Sequence, residues 1–168
     1  MRRISIRVLL VGAIALGVVL AGQAAGPPHI GNKAPVFSLP DVNGKVWSLA
    51  TVVKTHKITV VNFWATWCPP CRGEIPELVA FYKGFAAKGI QILAVDLQEE
   101  PKAVRAFASK QGMTFPVLID KTGIVADKYG ISGIPTTYIL DARGVVRDAI
   151  VGGTTGSVLR KKVQAASQ

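Results

Sequence analysis

Apolar residues follow two rhythms along this chain: short unbroken runs, and stretches where they recur three and four positions apart. Residues 58–64 form a near-continuous apolar run and residues 90–96 a second one. Runs of this length without polar alternation predict central strands covered on both faces. Between them Ile75, Leu78, Val79 and Tyr82 keep helical spacing, which predicts a helix from about residue 69 to Lys88, stopped by Gly89. The unit is strand, helix, parallel strand.

The same reading continues on both sides. Pro101 starts a helix to about Gln111 with Val104, Phe107 and Ala108 on one face, and Gly112 ends it. Residues 116–120 form a short strand and residues 124–129 a helical turn or short helix. Residues 133–141 are a loop leading into a strand, Arg143-Gly144 turns the chain, and residues 145–151 return antiparallel. An amphipathic helix over residues 157–166 closes the chain. Upstream, residues 37–40 and 46–49 flank Asn43-Gly44, a hairpin signal. This order predicts an α/β three-layer sandwich, a mixed central sheet flanked by helices, with an N-terminal hairpin.

The first residues follow a different plan. Arg2, Arg3 and Arg7 precede an uncharged stretch over residues 8–25, the layout of an export signal. Its strongly apolar part, residues 8–20, is short for a span of about 20 residues. Cleavage after Ala24 would place Gly22 and Ala24 at the small-residue positions. Gln23 stands where a lipoprotein signal carries its cysteine, so lipidation through that box is excluded. Two readings stay open: a cleaved signal peptide or an uncleaved N-terminal membrane anchor over residues 1–25. Either places the rest outside the cytoplasm, in a periplasm-like space. Residues 26–35, with Pro27-Pro28, read as a linker and residues 36–168 as the folded domain.

Composition narrows the function classes. The chain has 168 residues, 49% of them hydrophobic, enough for one globular domain with a real core. Net charge is +10; with the three N-terminal arginines set aside, 17 basic residues face 10 acidic ones, leaving +7. The basic residues are scattered apart from Arg160-Lys161-Lys162, and no recognition motif accompanies them, so no nucleic-acid partner is expected. His29 and His56 fall in linker or loop, and neither metal nor cofactor is expected. The chain has only two cysteines, Cys68 and Cys71, free to cycle with each other.

Those cysteines sit where the apolar strand meets the helix. Unpaired N–H groups and the positive dipole end at a helix start favour an anion, so the Cys68 thiolate should form more easily than a free thiol's. Pro69 suits the first helical turn. Cys71, one turn further in, is close enough to bridge to Cys68 and should be the more buried, resolving thiol. It must lose a proton to act, and Glu74, one turn beyond, is the candidate to take it; the alternative is a solvated carboxylate that assists the helix dipole. Trp67 reads as an exposed apolar shoulder for substrate, or else as core, whereas Trp64 reads as core.

The stretch Val61-Asn62-Phe63-Trp64-Ala65-Thr66-Trp67-Cys68-Pro69-Pro70-Cys71-Arg72, with Glu74, Pro76 and Gly133-Ile134-Pro135-Thr136-Thr137, resembles the thioredoxin superfamily. It is most similar to the exported TlpA-like and ResA-like thiol-disulfide oxidoreductases, over about residues 30–165. Residues 96–120 look like the strand-and-helix insertion of those exported proteins. Plain thioredoxins carry a buried Asp where this chain has Asn62, and Glu74 matches the acidic residue that TlpA-like members carry instead. The resemblance implies a redox-active Cys68–Cys71 disulfide, a kinking Pro76, and a cis Pro135 facing it, with the Ile134 backbone pairing to an extended substrate segment.

The resemblance further implies a protein disulfide reductase acting on exported substrates, apocytochrome c maturation among them, recharged by a membrane electron-donor protein. Length argues against an oxidant of DsbA type, which carries a large helical insertion. A copper-handling module using Cys68 and Cys71 as ligands is the competing class, though two thiols fall short of the four ligands a zinc site needs. Peroxidase chemistry lacks its pattern, since no Pro-x-x-x-Thr-x-x-Cys precedes either cysteine.

Overall fold

In this computed structural model, which describes residues 27–168, strand β3 (Ile58–Trp64) is buried at every position. The signal or anchor over residues 1–25 lies outside the described residues, none of whose helices is long and apolar enough to cross a membrane. Ahead of β3 come the paired strands β1 (Ser38–Pro40) and β2 (Val46–Ser48), then helix α1 (Leu49–Thr55). After it follow α2 (Pro69–Phe85), a tight turn of helix over Ala86–Lys88, and β4 (Ile90–Leu97). Next are α3 (Pro101–Gln111), β5 (Val117–Asp120) and α4 (Ile124–Lys128). The chain ends with β6 (Thr136–Asp141), β7 (Val146–Val151) and α5 (Gly156–Ala166).

The main sheet has the order β5-β4-β3-β6-β7. β4 runs parallel to β3 and β5 parallel to β4, whereas β6 and β7 are antiparallel additions. β3 and β4 have neighbours on both sides and helices on both faces, which is why apolar residues fill them without alternation. One core lies between the sheet and α2, α3 and α5, built on Val60, Trp64, Ile92, Ile75, Leu78, Val104 and Leu159. The other lies under α1, α4 and the hairpin, built on Phe63, Val95, Leu140, Leu49 and Tyr129. The three-layer mixed α/β sandwich expected from the residue pattern is the fold found.

Two local readings differ. The hairpin closes through a five-residue loop over residues 41–45 and not through a two-residue Asn-Gly turn. Asp41 reorganises it: its carboxylate accepts the N–H groups of Asn43 and Lys45 at 2.8 and 3.0 Å and the Trp47 indole N–H at 3.0 Å. Helix α1 is absent from the sequence reading. Leu49, Val52 and Val53 are its buried face, but Thr51, Val52, Val53 and Thr55 are β-branched and mask a seven-residue helix. The stops after α2 and α3 are as expected, with Gly89 and Gly112 in the left-handed conformation at φ +83° and +67°.

Residues 31–34, within the stretch read as linker, are tied to the domain. Gly31 N–H donates to Val146 C=O and Ala34 N–H to Gly144 C=O, at 2.8 and 2.9 Å. Asp141 locks the nearby β6–β7 turn. Its Oδ1 accepts the N–H groups of Arg143 and Val145, and its Oδ2 lies 3.2 Å from both the Arg143 and Arg147 guanidinium groups. Burial pushes the Asp141 carboxyl up, but those N–H groups and Arg143 outweigh it and hold it below the usual carboxylate range. A depressed folded-state value gives stability that is present above the unfolded one and is lost as pH falls through the folded one. Asp141→Ala should therefore cost about 2 kcal/mol at neutral pH, and the gap should close in acid. Urea midpoints across pH measure it.

Candidate active site

β3 ends at Trp64, and the chain turns through Ala65–Cys68, closed by Cys68 N–H donating to Ala65 C=O at 3.3 Å, before α2 begins. Cys68 is the N-cap of α2 (φ −87°, ψ 110°) and Pro69 opens the helix. The Cys71 N–H points at Cys68 Sγ at 3.3 Å, an otherwise unpaired helix-start donor aimed at sulfur. Cys68 and Cys71 are joined by a disulfide, their Cα atoms 5.3 Å apart. Both cysteines are buried, Cys68 at 3% and Cys71 at 0% exposed. Pro76 lies inside α2, where it removes one helical hydrogen bond.

Opposite the dithiol stands the loop before β6. The Ile134–Pro135 peptide bond is cis, and Cys68 Sγ lies 3.7 Å from the Ile134 carbonyl oxygen. Thr136 Oγ1 donates to Gly133 C=O at 2.7 Å, and Gly152 N–H, just past β7, donates to Pro135 C=O at 2.8 Å. These bonds fix the loop between α2 and the end of β7. Around the sulfurs Trp67 is 66% exposed and Val151 81% exposed, with Ile134 half-buried. Large apolar side chains left in water thus form part of the rim of the site.

Beneath the disulfide the polar groups are buried. Glu74, one turn after Cys71, is 3% exposed and is not the solvated carboxylate of the alternative reading. Its Oε1 accepts from the Asn62 amide at 2.8 Å and its Oε2 from the Thr154 N–H at 2.9 Å. Asn62 spends its other amide hydrogen on Thr137 Oγ1 at 2.9 Å, and Thr137 is its register partner across β3 and β6. Burial pushes the Glu74 carboxyl up, against the Thr154 and Asn62 hydrogen bonds, which pull it down. A carboxyl poised in this way, next to a buried thiol, can hold or release a proton where water has little access.

The structure thus brings together Cys68, Cys71, Glu74, Trp67, Ile134 and Pro135 at one end of the sheet. Among the described residues no group of three or more His, Cys, Asp or Glu converges on a point. Sequence reasoning missed Thr154 and Val151, and it missed the bonds that tie Asn62 to Glu74 and Thr137. Asn62 is visible as a polar residue in an apolar run, yet its bonds to Glu74 and Thr137, and that of Glu74 to Thr154, span segments far apart in sequence. Val151 falls in the returning strand of the sequence reading, and only its place at the end of the edge strand β7 exposes it.

The chain is similar to known proteins in both sequence and fold. The model of the AhpC/TSA family matches residues 30–149. The chain is 38% identical over 163 residues to thiol-disulfide oxidoreductase ResA of Bacillus subtilis, covering 94% of this chain and 90% of that one. It is 44% identical over 136 residues to thioredoxin-like protein YneN of the same organism, covering 79% and 78%. It is also similar to the crystal structure of a thioredoxin-family thiol:disulfide interchange protein from Chlorobium tepidum, with a TM-score of 0.74 and 34% identity, covering 82% and 97%. Family match, relatives and a dithiol at a helix start agree: the chain belongs to the AhpC/TSA family and is a thioredoxin-fold thiol-disulfide oxidoreductase.

Proposed function

We propose that this protein is an exported reductant of disulfides in other exported proteins, with Cys68 as nucleophile, Cys71 as resolving thiol and Glu74 as proton acceptor. One observation carries the reading: the two sulfurs are unequal. Cys68 caps the helix and receives the Cys71 N–H, so its anion is stabilised, whereas Cys71 lies one turn into the helix with the buried Glu74 one turn beyond it and spends its own N–H on the other sulfur.

The Cys68 thiolate attacks one sulfur of a substrate disulfide; a new S–S bond forms, and the second substrate sulfur leaves as thiolate. Cys71 passes its proton toward Glu74 and attacks Cys68, which releases the first substrate sulfur and leaves the Cys68–Cys71 disulfide present in the structure. Both electrons end on the substrate. An extended substrate segment pairs with the Ile134 backbone beside Pro135, and Trp67 covers its apolar side chains. A membrane protein supplying two electrons returns the dithiol.

The export signal or anchor over residues 1–25 supports a periplasmic or extracytoplasmic site of action. Apocytochrome c, whose haem-binding cysteines must be reduced before ligation, is the substrate class that the ResA-like resemblance implies.

The test is the midpoint potential of the purified protein together with insulin reduction. A reductant gives a midpoint near or below thioredoxin's, about −270 mV, and reduces insulin. A midpoint near that of a strong oxidant, about −120 mV, overturns the direction. Retention of one copper per chain without turnover overturns the exchange reading.

A further inference from the structure

Asp96, near the end of β4, has no part in the chemistry above and yet is completely buried. Its register partners are Trp64 on β3, whose indole N–H is itself buried without a partner, and Ile119 on β5; neither donates to it. Neither of its oxygens has a hydrogen-bond partner among the protein atoms. An ionised carboxylate in that position would face the full cost of desolvation. The ionisable group beside it is Glu99, itself a carboxylate, which as an anion has no donor to give. The next charge on this side, the Arg72 guanidinium of α2, is stacked on Phe107 of α3, whose ring also packs on Trp64.

Glu99 is held in an unusual way. Gln98 before it has φ +62°, a left-handed conformation rare for a residue with a side chain, and there the chain turns between β4 and α3. From this turn the Glu99 carboxylate reaches the turn in front of the dithiol. Thr66 N–H donates to Oε2 and Thr66 Oγ1 to Oε1, both at 2.6 Å. Thr66 is a central residue of the turn closed by Cys68 N–H and Ala65 C=O. Because Thr66 donates to both Glu99 oxygens, Glu99 is the anion, and a proton shared by the two carboxyls resides on Asp96 and supplies the missing donor.

We propose that Asp96 and Glu99 form a proton-sharing carboxyl pair that acts as a positioning device for Cys68, clamping the Thr66 turn while the proton is present and releasing it when the proton is lost. Loss of the proton to bulk water leaves two like charges acting on each other, one in a dry site; Glu99, half-buried, swings toward solvent and frees Thr66. Burial, followed by the neighbouring Glu99 carboxylate, pushes the Asp96 carboxyl up to about 8.

The experiment follows the Thr66 amide by NMR from about pH 6 to pH 10 in the full chain, alongside insulin reduction. In the wild type the Thr66 resonance should titrate with a midpoint near the about 8 given for Asp96. Asp96→Asn keeps an N–H donor toward Glu99 at every pH, so its Thr66 resonance should stay flat. Glu99→Gln donates to Asp96 while still accepting from Thr66, and should also remove the inflection. One pH unit above the midpoint only about a tenth of wild-type molecules hold the proton. Insulin reduction by the wild type, normalised at neutral pH, should there be about tenfold below that of Asp96→Asn. A Thr66 resonance that does not titrate in the wild type, or that titrates alike in Asp96→Asn, overturns the proposal. The amide readout is independent of substrate, so it fails separately from the reductant reading.

Discussion

Cys71→Ser should yield a protein that attacks a disulfide once and then stays attached to it. Cys68 keeps its place at the helix cap, but nothing remains beneath it to displace the substrate. Mixed disulfides should accumulate at one per chain, visible as reducible adducts on a non-reducing gel, while insulin turnover falls to the uncatalysed rate. Cys68→Ser should show the same loss of turnover and no adducts. The contrast rests on the cap: Cys68 caps the helix, and the Cys71 N–H serves the Cys68 sulfur. Adducts formed through Cys71 in Cys68→Ser would show that the sulfurs are interchangeable, and the assignment of roles would fall. The serine variants keep nearly the same volume, so a loss of folding does not confuse the result.

Much of this arrangement was legible because it is local or repetitive. An apolar run at β3, helical spacing from Ile75 to Tyr82 and a dithiol at their junction are contiguous signals, and their physics acts over a few residues. Gly89 and Gly112 mark helix ends because only a residue without a side chain takes the left-handed conformation at little cost. What stayed hidden is the polar layer under the dithiol. Asn62 meets Thr137, Glu74 meets Thr154, and Thr66 meets Glu99, each pair brought together by the sheet from separate parts of the chain. A buried polar residue shows in a sequence only as an interruption of an apolar run, and Asp96 at the end of residues 90–96 looks like an ordinary strand terminus. α1 was hidden for the opposite reason, since β-branched residues gave its seven positions the look of a strand.

Glu74→Gln should slow the dithiol cycle by about 10², the lower range for removal of a positioned general base. Its effect should fall on the resolving step: adduct formation by Cys68 continues, while adduct release slows. The pH profile separates this role from a structural one. Glu74 must be ionised to accept a proton, and burial raises its carboxyl above the usual range. Wild-type adduct release should therefore climb with pH through that raised value and then level off, and Glu74→Gln should lose this limb. Stability moves the other way. A folded-state value raised above the unfolded one gives stability that is complete below the unfolded value and is lost as pH rises through the folded one. Glu74→Gln removes that pH dependence, so its urea midpoint should stay level where the wild type's falls with rising pH; its single amide oxygen accepts from only one of Asn62 and Thr154, which lowers the midpoint at every pH by an amount equivalent to about 1–3 kcal/mol. Glu74→Leu leaves the Thr154 N–H and the Asn62 amide without acceptors in a buried layer, at about 1–3 kcal/mol for each. A Gln variant with unchanged adduct release and an unchanged pH limb would reduce Glu74 to a buried tie between α2 and the loop after β7.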